Sequence, residues 1–344
     1  MNAAVLHAFR EPLRLETVPD PAPPDGGVVV RVEACGVCRS DWHAYMGHDP
    51  TILPPHVPGH ELAGTVAELG RGVTGFRVGE RVTVPFCCGC GVCKTCAEGF
   101  QHLCDNEYQP GFSGWGAFAE YVALPYAETN LVRLPDTLEF TEAASLGCRF
   151  MTAFHALTAQ ATLRPGEWVA VHGCGGVGLS AVMIAAALGG RVIAVDIDAE
   201  KLEIARTLGA AHTVLSAHPV KEIQELTAGG AHVSLDALGS AATLRNSVRS
   251  LRKKGRHVQV GLLIGEAKPV ALPFHEVISR ELELYGSHGM PARAYPEMLE
   301  MIAAGVLSPQ KLIAKTVSLA EAGAELSAMG GFAQRGVTVI DLNL

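Results

Sequence analysis

What this chain lacks narrows the reading first. No Lys/Arg-rich block occurs in its 344 residues and the net charge is -8, so no nucleic-acid partner is expected. The opening Met1-Asn2-Ala3-Ala4-Val5-Leu6-His7 has neither a basic stretch nor a long apolar core. No secretory signal is expected from it, and a cytoplasmic location is. The segment poorest in charge, Trp168 to Gly190, is broken by closely spaced glycines, which fits a buried strand and helix better than a membrane span. The chain also shows no internal repeat and no low-complexity tract.

What is present suits an α/β enzyme. With 48% hydrophobic residues and 38 glycines, a chain of this length has room for two domains, each with its own core. Short β segments at Ala3–His7, Val28–Ala34 and Gly64–Glu68, punctuated by the turn-rich run Pro19–Gly27, predict a compact β domain up to about residue 150. The rhythm then changes. Trp168–His172, Arg191–Asp196, His212–Leu215, His232–Ala237, Arg256–Leu263 and Glu283–Tyr285 read as strands separated by helical patterns. In the helix Ala199–Leu208, Leu202, Ala205 and Leu208 share one face, and Gly209 stands where a C-cap is wanted. Such alternation predicts a doubly wound parallel sheet. A helix at Ala294–Ala304 and a strand at Val337–Leu342 are expected to return to the first domain. The expected division is 1–149 with 287–344, and 150–286.

Gly173-Cys174-Gly175-Gly176-Val177-Gly178 follows a predicted strand and opens a predicted helix. In that setting glycines let the backbone turn tightly and approach a pyrophosphate, whose charge a helix N-terminus favours. Asp196 ends the next strand, where a carboxylate accepts from a ribose 2′-hydroxyl and repels a 2′-phosphate, which favours NAD over NADP.

Cys38-Arg39-Ser40-Asp41-Trp42-His43, followed by Gly59-His60-Glu61, offers a thiolate, an imidazole and a carboxylate suited to zinc. Ser40 and His43 stand beside them as groups able to carry a proton away; the plain alternative makes Ser40 a helix N-cap and His43 a surface histidine. Cys35 and Cys38 form a CxxC pair, read as supplying one metal ligand rather than a redox couple. Ten cysteines without a secretory signal point to metal rather than disulfides. Cys90, Cys93, Cys96 and Cys104 would close a structural tetrahedral site, but Cys87 shares the three-residue spacing and Cys88 also competes. Spacing leaves that register open.

Taken together these residues resemble the zinc-dependent medium-chain alcohol dehydrogenase family, over essentially the whole chain. Gly59-His60-Glu61-Leu62-Ala63-Gly64, with Gly70 and Val73, resembles that family's zinc signature. The resemblance implies a GroES-like β-rich catalytic domain beside a Rossmann domain, with two zinc ions per chain. It assigns Cys38, His60 and Cys148 to the catalytic zinc, with Glu61 near the metal as a fourth ligand in some members. It places the structural zinc on Cys90, Cys93, Cys96 and Cys104. It makes Ser40 the hydroxyl that takes the alcohol's proton, His43 the imidazole that relays it, and Asp41 the support of His60. Around NAD it implies Arg39 on the pyrophosphate and Lys201 on the adenine ribose, with Thr152 and the Val260 backbone facing the nicotinamide. One departure stands out: many members carry a phosphate-binding arginine near the final strand, where this chain has Val337, with Arg335 two residues away.

The implied activity is hydride transfer between a small alcohol and NAD. A rival reading is a non-catalytic zinc- and dinucleotide-binding protein with a redox-sensing or structural role. Phe86, Trp115 and Trp42 read equally as pocket lining or as core aromatics. By analogy with bacterial-length members, a homotetramer is expected, with a dimer second.

Overall fold

The computed structural model describes residues 1–263, 269–331 and 334–344. The chain divides into two compact units, Met1–Met151 with Gly289–Leu344, and Thr152–His288.

The second unit holds a six-stranded sheet, all of its pairings parallel. Its strands lie in the order His212–Leu215, Arg191–Asp196, Trp168–His172, Ala231–Asp236, Leu251–Gln259 and Glu283–Gly286. Parallel strands are covered on both faces, so they need near-continuous apolar runs. Val169, Ala170 and Val171, like Val192, Ile193 and Ala194, are fully buried accordingly. The first strand in sequence sits between the second and the fourth, so the winding reverses at its carboxyl end, where doubly wound folds bind ligands. Helix Gly176–Ala187 starts there, and helix Ala199–Thr207 buries Leu202 and Ala205 and ends at Leu208 before Gly209, at φ +111°.

One strand differs clearly from its sequence expectation. It runs Leu251–Gln259 rather than from Arg256 to Leu263, so Val260 lies just beyond it. Exposed Arg252, Lys253 and Lys254 hide its first half, and a register irregularity against Ala231–Asp236 breaks the alternation there.

In the first unit a seven-stranded sheet is built on the long strand Val28–Val37. That strand pairs antiparallel with Glu61–Leu69, Tyr121–Leu124 and the C-terminal Val337–Asp341. Val30, Leu62, Phe118, Val122 and Ile340 meet in its core. Among the described residues, no helix is long and apolar enough to cross a membrane.

Two buried histidines make the second unit acid-sensitive. His172 lies 3.3 Å from the Ser250 hydroxyl, and His257 Nδ1 is 3.0 and 3.2 Å from those of Ser247 and Ser234. Burial lowers His172 to about 3 and His257 to about 4. Above about pH 6.5 neither folded nor unfolded chain protonates these rings. As pH falls below that, the unfolded chain takes up protons that the folded one refuses, so stability falls until the folded values are reached. Each ring should add a slope of up to about 1.4 kcal/mol per pH unit between pH 6 and 5. Urea unfolding at pH 7, 6 and 5 checks this. His172→Gln should remove one ring's share of the slope, and an unaltered slope would refute it.

Candidate active site

Cys38 follows the strand Val28–Val37 and caps the helix Arg39–Tyr45. Its backbone N–H donates to Asp41 Oδ2 at 3.0 Å, closing the first turn. Ser40 is therefore inside the helix and is not its N-cap. His60 and Glu61 stand where the antiparallel partner Glu61–Leu69 begins, with Glu61 opposite Gly36 in the ladder. Cys148 comes from a wide helical turn, Leu146–Phe150, of the kind that often marks functional positions.

These elements gather the donor atoms of Cys38, His60, Glu61 and Cys148 within 4.8 Å of one another. The two sulfurs are 3.9 Å apart. Two sulfurs tetrahedrally bound to one zinc, at about 2.3 Å each, would be separated by about 3.8 Å. His60 is fully buried, and its Nδ1 lies 2.8 Å from Asp41 Oδ1, which also accepts from Gly59 N–H at 3.1 Å. That contact leaves Nε2 as the free nitrogen, and it has no hydrogen-bond partner among the described residues. A buried polar atom without a partner is costly unless something binds it. An orphaned nitrogen beside two thiols at metal spacing fits a soft cation such as zinc.

The electrostatics agree. A thiol hydrogen bond from Cys148 draws Cys38 well below the ordinary thiol range, against burial, and His60 assists. Cys148 is held well above it by that same bond and by burial, so one proton stays on the pair. A metal ion takes the place of such a proton. Burial lowers His60, but Asp41 and Cys38 outweigh it and hold the ring well above its usual value. Burial likewise pushes Glu61 up to about 8, and Arg149 opposes that. Both Glu61 oxygens accept hydrogen bonds from the Arg149 guanidinium.

Phe86 and Phe112 present edge-on contacts to the His60 ring, at 6.2 and 5.5 Å between centroids. Phe112 and Arg149 escaped the sequence reading, because nothing local to either sequence position points to the metal. His43 is half-buried rather than a plain surface residue; burial, with Arg39 and His48, lowers it to about 4. Its Nδ1 meets His48 Nδ1 at 3.0 Å, another partner missed in the sequence. Trp42 packs on both of these rings, and Arg39 lies over Trp42 at 4.1 Å while donating to the Met329 carbonyl. Trp115 is exposed.

The second cysteine set is equally well gathered. Cys90, Cys93, Cys96 and Cys104 bring their sulfurs within 4.8 Å of one another. Cys87 and Cys88 are buried elsewhere, with thiols directed to the Met290 and Pro85 carbonyls. Backbone N–H groups of Val92 and Cys93 lower Cys90 to about 6, which favours thiolate and hence metal ligation.

At the glycine-rich turn, Gly173 takes φ +92°, and a Cβ on Gly178 would fall 1.7 Å from the Gly173 carbonyl. Only glycine allows the helix to pack that closely. Gly175 caps the helix, Gly176 and Val177 open it, and the space where a Gly175 Cβ would stand is open to a ligand. Asp196 accepts from the N–H groups of Cys174, Ile197 and Asp198 at 2.6, 2.8 and 3.0 Å. These three bonds hold the carboxylate in place at the end of its strand, and a carboxylate offers about four acceptor positions. Lys201 lies in the helix that follows, Thr152 is buried, and the Val260 N–H donates to the Asp236 carbonyl.

Comparison with known proteins extends these observations. Residues 24–136 match the family described as alcohol dehydrogenase GroES-like domain, and residues 176–304 match zinc-binding dehydrogenase. An alcohol dehydrogenase of Geobacillus stearothermophilus is 37% identical over 89% of this chain and 90% of its own length. An NAD-dependent alcohol dehydrogenase of Sulfurisphaera tokodaii is 34% identical over 99% of each. Among solved structures, an alcohol dehydrogenase from Thermus sp. ATN1 superposes with a TM-score of 0.92 at 30% identity, covering 99% of both chains. The chain belongs to the zinc-dependent medium-chain alcohol dehydrogenase family.

Proposed function

We propose that this chain, a zinc-dependent oxidoreductase acting between an alcohol and NAD, carries two zinc ions. The catalytic one falls among Cys38, His60, Glu61 and Cys148, and the structural one on Cys90, Cys93, Cys96 and Cys104. The observation that carries the reading is the buried, unpartnered Nε2 of His60 beside two sulfurs 3.9 Å apart. Two thiolates and an imidazole are already known from alcohol dehydrogenases themselves, so the donor set is not independent support for the family.

When bound, the catalytic zinc supplies Lewis acidity that eases loss of an alcohol's proton, and NAD supplies the hydride acceptor. The remaining work belongs to side chains. Ser40, in the first helical turn after Cys38, accepts the proton from the alcohol, and His43 passes it on. Burial, with Arg39 and His48, lowers His43 to about 4, so the ring is neutral in the neutral pH range. Asp41 fixes the ring of His60 by accepting a hydrogen bond from its Nδ1–H, which keeps Nε2 free for the metal. Gly173, Gly175, Gly176, Val177 and Gly178 bind the pyrophosphate, assisted by Arg39. Asp196 and Lys201 bind the adenine ribose, and Thr152 and Val260 face the nicotinamide.

In this reading 1–149 and 287–344 form the catalytic domain and 150–286 the dinucleotide domain. The protein is a cytoplasmic homotetramer, or second a dimer, which light scattering decides.

The direct test follows NADH formation by zinc-replete protein on primary, secondary, aromatic and polyhydric alcohols, with NADP in parallel and zinc counted per chain. Turnover with NAD on one class, at two zincs per chain, is expected. No turnover with a single zinc, confined to the cysteine loop, would favour the redox-sensing alternative.

A further inference from the structure

The catalytic site contains one donor too many. Three groups suffice to hold a zinc that keeps a position free for substrate, and Glu61 is a fourth. Its carboxylate is already engaged. Arg149 Nε donates to Glu61 Oε1 at 3.0 Å, and a second guanidinium nitrogen donates to Oε2. The third nitrogen donates to the Val37 carbonyl at 3.1 Å, tying the guanidinium to the strand that leads into Cys38. Arg149 is buried and Glu61 fully so. A two-point pair of this kind fixes the carboxylate in direction as well as in charge.

The backbone is shaped around the pair. A Cβ on Gly36 would fall 2.1 Å from Glu61 Oε2 and 3.0 Å from the Arg149 guanidinium. A Cβ on Gly147 would fall 2.8 Å from Glu61 Cα. Neither glycine has the positive φ that would otherwise explain it. Two strand and helix positions have thus given up side chains where the pair sits.

We propose that Arg149 is a positioning residue that holds the Glu61 carboxylate away from the metal, leaving the position beside Cys38, His60 and Cys148 open to the alcohol. The proposal rests on the zinc reading above. Arg149 follows Cys148 directly, so the turn that presents one ligand also restrains the competing one.

The test uses full-length protein with Co(II) in place of zinc, whose visible spectrum reports the number and type of donors, and imidazole as a probe of the free position. Wild type and Glu61→Gln should share one spectrum and one imidazole affinity, because Glu61 is not bound in either. Arg149→Met frees the carboxylate, so its spectrum should change and imidazole should bind at least about tenfold more weakly. Arg149→Met/Glu61→Gln, which leaves neither charge buried alone, should restore both. An altered spectrum in Glu61→Gln alone would overturn the proposal, and so would a folded Arg149→Met identical to wild type. The first comparison can still overturn the proposal if Arg149→Met fails to fold, and Arg149→Met/Glu61→Gln then carries the test of Arg149. Failure of the zinc reading is distinct: no thiolate-to-cobalt absorption that Cys38→Ala weakens.

Discussion

Cys38→Ala is expected to reduce kcat by about a thousandfold or more, because it removes a thiolate from the site whose Lewis acidity the reaction needs. Zinc per chain should fall from two to one. NADH binding, followed by fluorescence, should change little, since the glycine turn at 173–178 and Asp196 belong to the other compact unit. The thiol is buried but small, so its loss leaves only a small cavity, and the fold should survive. The His60 ring would stay in place through Asp41. Undiminished turnover in this variant would remove Cys38 from the metal site.

The second large effect concerns stability. Cys104→Ser should also cost one zinc per chain, but here the temperature of unfolding should drop by about 10 °C or more. The cysteine loop has no apolar core of its own. Its cluster consists of Cys90, Cys96 and Cys104, with Cys93 packed against them, while Val92, Phe100 and Leu103 face solvent. The backbone is tied to the sulfurs as well: Cys90 N–H donates to Cys104 Sγ at 3.2 Å and Asn106 N–H at 3.3 Å. Without a metal the four sulfurs have little reason to remain together. Metal analysis and thermal unfolding of the purified variant check this, with activity measured well below the transition, where most of it should remain. An unchanged zinc count and melting temperature would argue against a structural metal.

Legibility in the sequence followed the range of the interactions. The glycine turn could be read because each glycine answers a local need, φ +92° at Gly173 or close packing at Gly178. The helix Ala199–Thr207 showed its period because a single face is buried. The strand Leu251–Gln259 was half hidden, since its first half carries exposed charge and an irregular register. The cysteine register, open on spacing, depends on which sulfurs the fold turns inward together. Cys148 lies 110 residues from Cys38, and no local pattern connects them. Arg149 was not singled out at all, for its role exists only in its contact with Glu61, 88 residues away in sequence.

By itself the sequence determined the strand–helix alternation, the dinucleotide turn and the supply of metal-binding side chains, all of which depend on neighbours a few residues apart. Only the tertiary structure decided which side chains share a site and which are held back from it. Placing Cys148 beside Cys38, or Arg149 on Glu61, requires two segments far apart in sequence to pack against the same strand. That choice belongs to the core as a whole rather than to any local pattern of residues.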